Sequence, residues 1–555
     1  TGTRTIAAGD EGVWFGGWDN SVRRIDPRTN RVTERIRVGS HLLWGIAVGA
    51  GSVWATSEEG SLWRIDPGPR AITRTIDVGA GARYVAFGDG AVWTANYVDG
   101  RVSRIDPRTN TVTASAPVGA SQALAAGAGS AWASVAGVPR DGTLPPSACD
   151  AVVSGGSRPD VLIASDLALQ GPFGADQRGM ADAIRFVLED HGFRAGSYVV
   201  GYQSCDDSTA QAGQFELRKC AANAHAYAHA ERLAALIGPD RSFCAQVEIP
   251  ILNGAPGGPL ALVGPSTSFP SLTRGGRFRL PPPYGRGGEP DVYYPTGERN
   301  FFRVIARDDL QGVALAMLAK RLGLKDVFLV HDAPEGYGKV VWADPFRRTA
   351  SRLRVDIAGS ASHPSDGNDS AVANRVARSG ADGVLLGTVG DGGLLKALRA
   401  RLGQRVTIMA GDGFADVPFV LEDAGGAARG LYVGSTGLLP DGLDLTPAGK
   451  RFTRDLGETA HGQYALQSAQ ATEVVLQAIA RSDGTRASVL KELRATDVTG
   501  GLFGRFHFDS YGDMTPARVT ILRVTGRTTP GLALPSSLEG AVVDRVMTVP
   551  ASLAG

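Results

Sequence analysis

Four cysteines, eight histidines and a few acids in glycine-rich loops are the residues of this 555-residue chain with chemistry to offer. Cys149, Cys205, Cys220 and Cys244 include no pair at zinc-ribbon or thioredoxin spacing. An even number confined to one third of the chain points to one or two disulfides and an oxidising compartment. Four cysteines permit three complete pairings, which the spacing leaves open. The histidines are dispersed, and there is no Gly-x-Ser-x-Gly elbow, His-Glu-x-x-His pair or metal-ligand cluster. No catalytic residue, metal or cofactor is therefore expected. The run Thr388-Val-Gly-Asp-Gly-Gly393 precedes a helical pattern as a phosphate loop would, but lacks the Gly-Lys-Ser/Thr ending. Asp412 stands in Ala410-Gly-Asp-Gly413 after an apolar run, where an acid can reach into a cleft. Asp308 and Gln311, spaced Asp-x-x-Gln, read as a helix cap and not as site residues.

The charge balance, 57 Lys and Arg against 56 Asp and Glu, gives no basic field, so nucleic acid is not expected as a partner. No run approaches the ~18 apolar residues that span a bilayer. The chain opens without Met or a leader. The expectation is a mature product or fragment, tethered to a membrane through a segment outside this sequence.

Two kinds of element must position these residues. Trp14, Trp54, Trp93 and Trp132 recur at 39–40 residues, as does Ile-Asp-Pro at Ile25, Ile65 and Ile105. A period of this size, built from short alternating strands and turn residues, marks a propeller-like array. In Asp26–Asn30 and Asp106–Asn110, Pro fixes φ and Asn tolerates the left-handed region. The repeated Trp is read as core between blades. Residues 1–138 are thus expected to form a partial β-propeller of three to four blades, and 139–157 a linker.

From Asp160 the period changes to buried apolar runs alternating with amphipathic helices, as in Met180, Ala183, Ile184, Val187 and Leu188. A second such series begins at Phe301, after a Pro/Gly-rich loop at 274–300. Two parallel-sheet lobes imply a cleft at the carboxyl ends of their strands.

Several motifs fall in a familiar order. They are Gly171-Pro172, Ile237-Gly-Pro239 with Ser242, Gly264-Pro-Ser-Thr-Ser-Phe-Pro-Ser-Leu-Thr273, Phe302-Arg303, Asp308-Asp-Leu-Gln-Gly312, Tyr337-Gly338, Ala410-Gly-Asp-Gly413 and Gly504-x-Phe-x-Phe-Asp509-x-x-Gly-Asp513. Over about 158–526 the chain resembles the type I periplasmic binding proteins, in the leucine/isoleucine/valine-binding branch of ABC transporter receptors. Its repeats resemble YVTN and virginiamycin B lyase propellers. The first resemblance implies lobe 1 over 158–303 plus 437–503 and lobe 2 over 304–436 plus 504–526, with 527–555 as a tail. It implies a ligand carboxylate held by Ser242, Ser266, Thr267 and Ser268, an ammonium countered by Asp412, and a cleft wall at Tyr337, with Gln170 a weaker contact. It also implies a Cys205–Cys244 disulfide, with Cys205–Cys220 as the alternative. Where relatives often carry an aromatic ring, this chain has the Thr388 loop, which puts branched-chain specificity in doubt.

The function expected is an extracytoplasmic receptor closing on an amino acid or similar polar metabolite. It would serve an ABC permease or act as the sensory ectodomain of a larger regulator. The alternative is a lyase-like propeller enzyme with the α/β region as its sensor.

Overall fold

The computed structural model describes residues 3–554 except 11, 18–19, 39–42, 58–59, 70, 120, 136–142, 173, 277, 279–283, 286, 334–335, 365–366 and 527–537. Part of the expected linker and the start of the expected tail lie outside the described residues.

Residues 1–145, with 217–230, form one unit. Three four-stranded antiparallel sheets follow the repeat, each paired in sequence order, and Ser121–Gly127 with Ser130–Val135 makes a two-stranded fourth. Hydrophobic clusters join the first sheet to the second around Trp14 and Trp63, and the second to the third around Trp54. Trp14 and Trp54 are fully buried, whereas Trp132, on the last hairpin, is 55% exposed. The Arg before Ile-Asp-Pro lies over the Trp of the preceding strand in each sheet, Arg24 over Trp14, Arg64 over Trp54 and Arg104 over Trp93. The Asp then accepts from the backbone two residues on, as in Asp26 with Arg28 and Asp106 with Arg108. Asn30 and Asn110 take φ of 54° and 59°, which bears out the turn chemistry. The helix Leu217–His229, expected within lobe 1, packs in this unit, with His225 against the Val98 carbonyl.

Residues 146–216 and 231–555 form the second unit, which holds two α/β sheets. In lobe 1 the order is Arg194–Ala195, Tyr198–Asp206, Val161–Leu167, Leu233–Ile237, Ala261–Gly264, Phe301–Arg303, parallel after the first. In lobe 2 it is Asp356–Ser362, Asp326–His331, Gly383–Gly387, Thr407–Ala410, Tyr432–Ser435, Ala517–Val524, Ala541–Val549. The last two strands run antiparallel to their neighbours. Helix Ala465–Arg481 returns to lobe 1 and buries Leu466, Val474, Val475 and Ile479 in its core.

Two expected boundaries are corrected. Phe506, Phe508 and Met514 pack in the lobe 1 core, so the chain re-enters lobe 2 at Ala517–Val524 and not at 504. The supposed tail contributes strand Ala541–Val549 to the lobe 2 sheet. Its mixed polar and apolar run hides the strand, because only Ala541, Met547 and Val549 are buried.

The disulfide expectation is also overturned. Residues 148–153 lie antiparallel to strand Tyr198–Asp206, with Asp150 N–H donating to the Ser204 carbonyl (2.8 Å) and Asp206 N–H to that of Ala148 (2.8 Å). This register sets Cys149 opposite Cys205, and those two are bonded. Cys205 is therefore paired with neither Cys244 nor Cys220. Both of those are also disulfide-bonded, and no cysteine is free.

Candidate functional site

Parallel sheets present their loops at the carboxyl ends of the strands, and in lobe 1 these loops carry the hydroxyls. Helix Ser242–Asn253 begins without a side-chain cap. The Ser242 Oγ instead accepts from the backbone N–H groups of Ser268 (3.1 Å) and Phe269 (3.2 Å), tying the helix start to the loop after Ala261–Gly264. Ser266 Oγ donates to the Asp240 carbonyl at 3.0 Å. Thr267 is fully buried with its hydroxyl unpartnered, against Gly264, where an added Cβ would collide with it. An uncapped helix N-terminus beside hydroxyls suits an anion.

Lobe 2 supplies the acids. Asp308 and Gln311, read from sequence as a cap, do something else, since the Asp308 side chain makes no capping bond. Gln311 Nε2 donates to Asp308 Oδ1 (3.0 Å) and to Asp412 Oδ2 (2.8 Å), while its Oε1 accepts from the Asp412 N–H (2.9 Å). The Tyr337 hydroxyl donates to Asp308 Oδ2, and Ser268 reaches Asp308 from lobe 1. One chain of contacts thus joins Ser242, Ser268, Tyr337 and Asp412 through two residues that sequence reasoning had set aside. Burial, then the neighbouring Asp308 carboxylate, pushes the Asp412 pKa well above its ordinary value. Burial raises that of Asp308 against the pull of Tyr337 and Ser268.

Rings surround this pair. Phe243 and Phe269 of lobe 1, Tyr284 of the Pro/Gly-rich loop, and Tyr337 and Trp342 of lobe 2 form one cluster with neighbouring centroids 5.2–6.4 Å apart. Trp342 sits in a turn of π-helix, Lys339–Ala343, an irregularity frequent at functional sites. Gly411 is required here, because a Cβ would lie 2.5 Å from the indole. These rings answer the missing aromatic at the Thr388 loop, where Val389 instead points to solvent. Gln170 stands apart, donating to Asp206 and lining a small cavity with Phe215 and Arg241. A 620 Å³ groove lies elsewhere on lobe 1, between Asp150, helix Gly174–Asp190 and Glu458–Gly462. None of the expected ligand contacts lines it.

The crossings between lobes are held by ions. Asp513 accepts from Arg303 Nε (2.9 Å), Arg307 Nη1 (2.9 Å), Arg274 Nε (2.9 Å) and Thr273 Oγ1 (2.9 Å), and Arg307 also pairs with Asp309. Burial alone would raise the Asp513 pKa, but the three guanidiniums overcome it and hold the carboxyl far below its usual range. Arg303, Asp309 and Asp513 of the motifs quoted from the sequence thus serve this ionic network.

Residues 286–528 match a family model described as periplasmic binding protein. No curated protein sequence matches the chain. Solved structures share the fold. A leucine-binding protein of Thermotoga maritima matches at 22% identity and TM-score 0.50, over 70% of this chain and 99% of its own. An ABC transporter substrate-binding protein of Desulfitobacterium hafniense, in complex with Leu, matches at 21% and 0.50, over 66% and 97%. A solute-binding protein of R. palustris, in complex with 4-hydroxybenzoate, matches at 14% and 0.50, over 70% and 97%.

Proposed function

We propose that the α/β region is an extracytoplasmic solute receptor whose lobes close on a small zwitterion with an apolar or aromatic body. The observation that carries this is the Asp308–Gln311–Asp412 bridge, two buried carboxylates on one amide. It faces hydroxyls and an uncapped helix start in the other lobe. An ammonium neutralises the acids, and a carboxylate meets the helix N-terminus. The ring cluster receives the body of the ligand. The matched family and the disulfides support placement outside the cytoplasm.

The β-repeat unit, read as a partial propeller, favours a sensory ectodomain over a free import receptor, because delivery to a permease does not call for it. The direct test is a thermal-shift screen of the full chain against the amino acids and against benzoate-type acids. Ligand at 100 times its Kd adds about 2.7 kcal/mol of stability to a form that alone binds it. Shifts with zwitterions and none with simple acids are expected. No shift with any amino acid would overturn the reading.

A further inference from the structure

Lobe 2 carries a group of ionisable side chains that solute capture does not use. His363 follows strand Asp356–Ser362 and is 3% exposed. Its backbone N–H donates to the His331 carbonyl at 2.7 Å, which fixes the residue against the neighbouring strand. Asp369 opens helix Asp369–Ser379, and Asp391 caps helix Gly392–Leu402. One imidazole nitrogen and one oxygen from each acid lie within 4.8 Å of one another.

The two ring nitrogens have different partners. Nε2 donates to Asp369 Oδ1 at 2.7 Å, which places the ring proton there and leaves the lone pair on Nδ1. Nδ1 is buried and makes no hydrogen bond. The charge nearest to it is Asp391 Oδ2, at 3.5 Å. The other oxygen, Asp391 Oδ1, accepts from the Leu394 N–H at 2.9 Å, so capping leaves Oδ2 for another partner. A lone pair facing a carboxylate calls for positive charge between them. Their separation exceeds the roughly 2.7–3.2 Å of an N–H···O bond. It is close to the spacing of two ligands on a tetrahedral Zn²⁺, about 3.3–3.5 Å for bonds of about 2.0–2.1 Å. Asp369 on the far edge of the ring repeats the carboxylate–histidine–metal arrangement, in which the acid fixes the tautomer of the ligating imidazole. A nitrogen and an oxygen donor together suit Zn²⁺ better than Ca²⁺ or Mg²⁺, which take oxygen. Both acids are partly exposed, so the remaining positions are open to solvent.

We propose that His363 Nδ1 and Asp391 Oδ2 bind Zn²⁺, with Asp369 as the residue that orients the imidazole and adds a second negative charge. Occupation ties the end of strand Asp356–Ser362 to the start of helix Gly392–Leu402. It also steadies the loop before that helix, whose Gly390 N–H donates to the Gly413 carbonyl at 2.9 Å, beside Asp412.

The test uses the full chain stripped with EDTA and kept free of reductant, so that the disulfide-bonded cysteines offer no thiolate. Calorimetric titration and thermal unfolding with Zn²⁺ alone should show one saturable site per chain and a saturable rise in Tm. Asp391→Asn keeps a side chain that caps a helix and should abolish that site. Asp369→Asn should weaken Zn²⁺ by about 10–100-fold, a loss that an acid with a purely structural role would not produce. His363→Gln removes the nitrogen ligand and should also abolish binding; if that buried variant does not fold, the two Asp variants decide the matter. No saturable binding to the wild type would mean that a second proton sits between His363 and Asp391, and would overturn the proposal. Wild-type Zn²⁺ affinity in Asp391→Asn would put the metal elsewhere on the chain and do the same. Solute is absent throughout, so the outcome is independent of the receptor reading.

Discussion

Asp412→Asn separates a binding acid from a structural one, because the two roles predict opposite signs. Gln311 Nε2 touches both Asp308 and Asp412, so the two carboxylate oxygens lie no more than about 6 Å apart. At an effective dielectric near 20, two full charges at that distance repel by about 3 kcal/mol. The raised proton affinity of Asp412 expresses burial together with that repulsion, and burial raises that of Asp308. Asparagine keeps an oxygen to accept from Gln311 and removes one charge, so the empty protein should be as stable as wild type or more so.

The bound state responds the other way. An ammonium about 4 Å from the carboxylate gains about 4 kcal/mol at the same dielectric, and the desolvation of both ions returns part of it. A net loss of roughly 2–4 kcal/mol corresponds to about a thirty- to thousandfold weaker Kd. The assay is thermal unfolding of the empty chain, with calorimetry using the amino acid that gives the largest shift for wild type. A Tm lowered by several degrees with unchanged affinity would refute the reasoning, because Asp412 would then serve the fold and not the ligand.

Four further outcomes follow from the same structure. Ligand binding should release protons and tighten as pH rises above the ordinary carboxylate range, because an ammonium favours the ionised form of an acid whose pKa is raised when the site is empty; equal calorimetric heats in buffers of different ionisation enthalpy would count against it. Asp513→Asn should cost about 3–5 kcal/mol by leaving buried Arg303 uncompensated. Since the folded pKa of Asp513 is depressed, its contribution is complete above about pH 4 and lost as pH falls further, so the variant's stability curve should flatten on that acid limb. Cys149→Ser opens a link of sequence separation 56 and should cost about 4 kcal/mol by loop-closure entropy, and non-reducing peptide mapping should recover Cys149 joined to Cys205. Trp54→Ala should destabilise the repeat unit by about 3–5 kcal/mol, whereas Trp132→Ala, at a 55% exposed position, should stay within about 0.5 kcal/mol.

Local rules carried the elements well. The Asp-Pro-x-Thr-Asn turns are legible because Asp acceptance and the left-handed Asn are properties of four or five adjacent residues. The parallel strands are legible because burial on both faces leaves continuous apolar runs such as Val161–Leu167. Pairings between distant segments were not legible. Cys149 meets Cys205 through backbone register that no spacing encodes, and helix Leu217–His229 follows a lobe 1 strand in sequence yet packs with the repeats. Asp308 and Gln311 were misjudged for a subtler reason. Their spacing is that of a capping box, but a cap needs the acid to turn back on its own helix, and tertiary partners Tyr337 and Asp412 claim both side chains. The available signal was Gly411 and Gly413 flanking Asp412, since glycine there admits the close approach of Trp342.

The same geometry bears on selectivity. A simple aromatic acid, such as the 4-hydroxybenzoate held by one structural neighbour, could place its ring among Phe243, Phe269, Tyr284 and Tyr337 and its carboxylate at the lobe 1 helix start. It would then offer Asp308 and Asp412 nothing, and closing the lobes over two acids in a drying site would strengthen their repulsion as water leaves. The acids would have to take up protons for closure to proceed. An amino acid of the same shape brings its own counter-charge and removes that cost. On the proposed reading, discrimination between the two would come from penalising the wrong ligand at the Gln311-bridged pair as much as from attracting the right one. Asp412→Asn should narrow the gap between them by weakening the amino acid and relieving the acid.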